Sequence, residues 1–133
     1  MSKIRLVMAL VTMLGASAAH AQDGKPITPR GNYSLVADSG YAGPDLTGFV
    51  AMFGDDTTMV IVSADGSLIV KSKLVFDKGT MTLNDVDGSN VCQFPGKYKV
   101  TGTATLFKLV LVEDGCGDRS AIVVGLKWVK LDK

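Results

Sequence analysis

From residue 32 onward, apolar residues recur at every second position, and short Gly- or Asp-rich breaks interrupt the runs. A period of two belongs to strands that bury one face. In the first run, 32–37, Tyr33, Leu35 and Ala37 share a face. The second covers 46–53, with Gly48 an expected bend. Runs 57–63 and 67–76 flank Ala64-Asp65-Gly66, a hairpin signal. In the longer of these, Leu68, Val70, Leu74 and Phe76 face one way, and Lys71 and Lys73 the other. The fifth run, 80–86, turns Met81 and Leu83 inward.

The stretch 96–131 organises the rest. Three strand-like runs follow one another, and upstream runs are expected to wrap onto them. Run 97–103 puts Tyr98 and Val100 inward, 105–113 puts Phe107, Leu109 and Leu111 on one face, and 120–131 aligns Ile122, Val124, Leu126 and Trp128. No window repeats its apolar residues every third or fourth position, so no helix is predicted. About eight short strands joined by tight turns predict an all-β fold. The hairpin-like connections favour an antiparallel up-and-down barrel, with a β-sandwich as the alternative.

The first residues read differently. Lys3 and Arg5 precede an apolar run, 4–14, and Ala19-His20-Ala21 is a small-x-small cleavage site. This pattern predicts a secretory signal peptide over 1–21, too short for a spanning helix. Residues 22–31, with Pro26 and Pro29, are expected to form a flexible lead-in, leaving 32–133 as one barrel domain. Cleavage removes Lys3, Arg5 and His20, so 14 basic residues become 12 against 13 acids. A near-neutral chain with scattered charge predicts no nucleic-acid partner, and no membrane anchor is expected after cleavage. The predicted location is periplasmic or secreted.

Export bears on the two cysteines. Cys92 and Cys116 are expected to form one disulfide, closing a loop of roughly 25 residues and stabilising by about 3 kcal/mol in the chain-entropy treatment. The alternative is a pair of buried thiols. CxxC zinc spacing is absent, and no cofactor is expected.

Loss of the single histidine removes Ser-His-Asp and Cys-His chemistry. The chain is therefore expected to be non-catalytic. Carboxylates remain as the residual route: Glu113, Asp114 and Asp118 cluster near Arg119, where solvating a turn and pairing with Arg119 is the plainer reading. The stretch 84–90, NDVDGSN, resembles a calcium loop but fails its spacing, and an Asp-Gly turn fits better. Tyr33, Phe49, Tyr98 and Trp128 are candidate pocket-lining aromatics. Tyr41, in the Gly-rich loop 38–44, is either a lid or packed on the barrel rim. Arg119 is expected to close one end by stacking on an aromatic such as Trp128, with a ligand-facing charge as the alternative.

Several of these residues resemble a known family. Gly31-Asn32-Tyr33 resembles the Gly-x-Trp opening of lipocalins, with Tyr in place of Trp. Arg119, followed by Trp128, resembles the arginine that closes a lipocalin barrel over that aromatic. The series Gly96-Lys97-Tyr98, Leu109, Asp114-Gly115-Cys116-Gly117-Asp118-Arg119 and Trp128 looks like small exported bacterial lipocalin-like (calycin-type) proteins. The chain is shorter than usual lipocalins and shows no C-terminal helix. The resemblance implies binding of a small apolar ligand. Small disulfide-bonded periplasmic barrels also include protease and lysozyme inhibitors, so a protein partner such as a hydrolase is the alternative, through loop 38–45 or 114–118.

Overall fold

The computed structural model describes residues 26–132. The expected signal peptide, 1–21, lies outside the described residues, as do 22–25 and Lys133. Eight strands form: β1 Gly31–Ala37, β2 Val50–Phe53, β3 Thr58–Val62, β4 Leu68–Asp77, β5 Thr80–Asp87, β6 Gly96–Gly102, β7 Leu106–Asp114 and β8 Leu126–Lys130. Among the described residues one helix, α1 Gly117–Val124, separates the last two strands. Each strand pairs antiparallel with its sequence neighbours, and β8 returns to β1 with Trp128 opposite Leu35. The chain is thus a closed, eight-stranded up-and-down barrel. Among the described residues, no helix is long and apolar enough to cross a membrane.

The alternation sets the inward faces. Tyr33 and Leu35, Met81 and Leu83, Tyr98 and Val100, Phe107 and Leu109, and Leu126 and Trp128 are all buried. Short turns join most neighbours. Between β4 and β5 the turn is Lys78-Gly79, both at positive φ (53° and 86°), which matches the twist of the flanking strands.

Two segments depart from the periodic expectation. The second strand begins at Val50 rather than 46, because the Phe49 N–H donates to the Leu46 carbonyl at 3.0 Å and Gly48 adopts φ +83°. The run expected as one strand from 120 is helical to Val124 and becomes strand only at Leu126. Ile122 belongs to both patterns: it alternates with Val124 and Leu126, and it lies three residues from Arg119 on one helical face. Gly125 ends the helix, its N–H donating to the Ile122 carbonyl at 3.1 Å. A short apolar run of this kind is ambiguous between helix and strand, and tertiary packing decides it.

One end of the barrel is filled by aromatic rings. Tyr33 meets Phe53 and Phe107 edge-on at 5.4 and 5.1 Å, and Trp128 stacks on Phe107 at 5.5 Å. Such pairs each contribute about 0.5–1.5 kcal/mol beyond the area they bury. The Tyr33 hydroxyl donates to the Ala104 carbonyl at 2.7 Å. From the lead-in, Ile27 packs against the core and Pro29 is fully buried. The opposite end carries the 38–49 loop, the 63–67 turn, the 88–95 loop and α1.

Candidate functional site

At that opposite end the barrel holds a cavity of about 630 Å³. Leu35, Met59, Ile61, Val70, Leu83 and Leu126 bound it from the strands. Phe49 and Leu46 come from the β1–β2 loop. The helix adds Arg119, Ile122 and Val123, three positions on one face by the i, i+3, i+4 rule. Trp128 belongs to both regions, stacking in the aromatic plug and bounding the cavity.

One wall is polar and tightly organised. Arg119 grips Asp114 bidentately, Nε to Oδ2 at 2.8 Å and Nη2 to Oδ1 at 2.7 Å. Its Nη1 donates to Asp85 Oδ2 at 3.1 Å, and Nη2 also reaches the Phe94 carbonyl at 2.6 Å. The side chains are 12% (Arg119), 3% (Asp85) and 0% (Asp114) exposed. Both carboxylates have further donors. Asp85 accepts from the Ser72 hydroxyl at 2.7 Å and the Cys92 N–H at 3.0 Å. Asp114 accepts from the Cys116 N–H at 2.8 Å and from the Tyr98 hydroxyl. Burial alone would be costly for these ions, and the shared hydrogen bonds offset it.

The electrostatics follow from that geometry. Burial pushes the Asp114 carboxyl up, but Arg119, Tyr98 and the Cys116 N–H outweigh it, so it is held below the usual range. Burial and the Asp114 carboxylate both push the Tyr98 hydroxyl well above its ordinary value. Two carboxylates against one guanidinium leave the cluster at a formal −1.

The local chain explains how these groups converge. Ser72 and Asp85 sit on the inward faces of β4 and β5, directly opposite one another. Asp114 turns inward through a register shift between β6 and β7: Tyr98 faces Leu111, while Lys97 faces Glu113. Cys92 and Cys116 lie at disulfide distance, with Cα atoms 6.4 Å apart, and tie the 88–95 loop to the start of α1. Their sulfurs also lie near an Asp114 oxygen. Paired sulfurs give a metal little, and Asp114 is already held by Arg119 and Tyr98.

The sequence-predicted site residues are distributed unevenly. Phe49 and Trp128 line the cavity. Tyr33 is buried in the aromatic plug, and Tyr98 stands behind Asp114. Tyr41 packs its ring on Gly125 and donates its hydroxyl to the Pro44 carbonyl at 2.6 Å, bracing the loop against the end of α1. Arg119 pairs with Asp114, the plainer reading of the 113–118 acids, rather than stacking on an aromatic. Among the described residues, the cation over a ring is Lys130, 5.9 Å from the Tyr33 centroid. In the calcium-like stretch, Asp85 is committed to Arg119, and Asp87 accepts from the Gly88 N–H at 2.8 Å.

Sequence reasoning missed Ser72 and Asp85. A legible signal existed: each is the polar member of an inward series, Val70-Ser72-Leu74 and Met81-Leu83-Asp85. The inward turn of Asp114 had no such signal, because a bulge is not written in the alternation. Compared with known proteins, the chain matches no family model, no curated protein and no solved structure.

Proposed function

We propose that the chain is an exported, lipocalin-like, non-catalytic protein that binds a small apolar ligand at the open end of its barrel. The observation that carries this reading is the cavity of about 630 Å³, bounded mainly by aliphatic and aromatic side chains. That volume and lining suit a compact apolar molecule. The signal-like N-terminus supports export, and the Gly31-Asn32-Tyr33 opening supports the lipocalin likeness. The Asp85–Arg119–Asp114 cluster fits a structural role better than a catalytic one, since each of its carboxylate oxygens already accepts from protein donors.

The test is a titration with the neutral fluorophore N-phenyl-1-naphthylamine. Saturable binding, abolished in Ile122→Trp, which fills the helix side of the cavity, supports the reading. Binding unaffected by that variant counts against it, as does none at all.

A second reading is a protein-interaction module, such as a hydrolase inhibitor. Phe94 favours it, being 60% exposed, beside the Cys92–Cys116 bridge and packed along Gly115. A rigidly held exposed aromatic is a common anchor of protein interfaces. Slowing of proteases or lysozymes that is lost in Phe94→Ala would favour this reading.

A further inference from the structure

We infer that the ligand of this cavity is a cationic amphiphile, its apolar body inside the barrel and its ammonium group held at the open end. The inference rests on the carrier reading and names the ligand class within it. Its first support is a charge imbalance in the cavity wall. Asp85 and Asp114 share the one guanidinium of Arg119, and all three side chains are largely buried. Among the described residues, Arg119 is the only cationic side chain that bounds the cavity. A net negative charge is therefore held beside an apolar space without a second counter-ion. Such a charge is costly to bury, and a cation within reach of its field offsets that cost without touching the carboxylates.

The mouth carries the same sign. Its segments, 38–49, 63–67, 88–95 and α1, contain no lysine and no arginine except Arg119. Their acids are Asp38, Asp45, Asp65 and Asp118. Lys108 pairs with Asp38, but among the described residues no ion pair reaches the other three, which are exposed. Asp45 and Asp118 also bound the cavity, one from the β1–β2 loop and one from the first turn of α1. The Thr47 hydroxyl and N–H both donate to Asp45 Oδ1, at 2.7 and 3.0 Å, and hold that carboxyl below its usual range. An anionic headgroup would enter against this field and find every Arg119 nitrogen already donating. An ammonium, which only donates, meets exposed carboxylates instead. The aromatic plug fills the far end of the barrel, so the charged end of an amphiphile stays at the mouth.

The test is calorimetry at pH 7 and low salt with octylamine, 1-octanol and octanoate, which share a chain length and differ in headgroup charge. Two exposed carboxylates and the buried charge are expected to favour octylamine over 1-octanol about tenfold, with octanoate the weakest. Asp45→Asn with Asp118→Asn narrows the amine-to-alcohol ratio about threefold, and raising salt to about 0.5 M narrows it as well. Ile122→Trp abolishes octylamine binding. Octylamine that still binds that variant lies on the acidic surface rather than in the cavity, which overturns the inference. If 1-octanol or octanoate binds at least as tightly as octylamine, or if the ratio ignores both the Asn variant and salt, the inference fails while the carrier reading stands. The same holds if N-phenyl-1-naphthylamine binds and none of the three does. If none of the three binds, and N-phenyl-1-naphthylamine does not either, both fail.

Discussion

Removing the Arg119 guanidinium tests how the polar wall of the barrel is held. In Arg119→Met the aliphatic volume is largely kept, but Asp85 and Asp114 remain as two carboxylates at 3% and 0% side-chain exposure. Four hydrogen bonds go with the guanidinium: two to Asp114, one to Asp85 and one to the Phe94 carbonyl. Stripping one partner from a buried ion pair typically costs about 3–5 kcal/mol, against total stabilities of about 5–15 kcal/mol. The variant is expected to lose about 4 kcal/mol at pH 7, measured by urea unfolding with the disulfide intact.

Acid should narrow that loss, and the sign follows from Asp114. In the parent its carboxyl is held below the ordinary value, so its stabilising contribution is present above the unfolded value and fades as pH falls through the folded one. Without Arg119, burial dominates and raises the folded value above the unfolded one. The variant is then penalised at pH 7 and relieved as pH falls toward 4. A companion carrying Asp85→Asn, Asp114→Asn and Arg119→Met, which leaves no buried charge in the cluster, should recover most of the stability. A loss below about 1 kcal/mol at pH 7, or a loss equal at pH 7 and pH 4, would refute this account.

Other expectations concern the frame of the cavity. Cys92→Ser with Cys116→Ser opens a loop of sequence separation 24, and the loop-entropy relation puts the cost near 3.5 kcal/mol, read as a lower urea midpoint. Reduction of the parent should lower the midpoint by a similar amount. Gly88→Ala adds a Cβ that would clash with the Ile69 carbonyl oxygen, at a position with φ +124°. Steric and backbone strain together predict a loss of about 2 kcal/mol or more in the same assay, while a neutral outcome would contradict the close approach of the 88–95 loop to β4.

Particular residues show what could be read from the sequence. Period-two alternation located the buried faces of β5, β6 and β8, because a strand that hides one face must alternate. It did not locate depth along the barrel axis. Tyr33 and Phe49 both read as pocket candidates, yet Tyr33 lies in the filled end and Phe49 at the open end. Depth depends on stagger between strands, which no single run encodes. The helix was hidden because Ile122 satisfies both periods, and its N-terminal turn holds Gly117, a weak helix former. The inward placement of Asp114, though not its pairing with Arg119, was hidden by the β6–β7 register shift. The opposed Ser72 and Asp85 were readable in principle: a polar side chain interrupting an inward apolar series signals a buried partner.

The most direct test of the central claim is native mass spectrometry of the protein recovered from the envelope or medium of its own host. The carrier account predicts the folded mass plus a reproducible small adduct that leaves on denaturation, with an elemental formula rich in carbon. The denatured chain should begin after residue 21 and be two hydrogens lighter than its reduced form, through Cys92 and Cys116. A bare folded mass from gentle, detergent-free preparation, with no uptake of added N-phenyl-1-naphthylamine, would contradict the claim that this barrel carries a ligand.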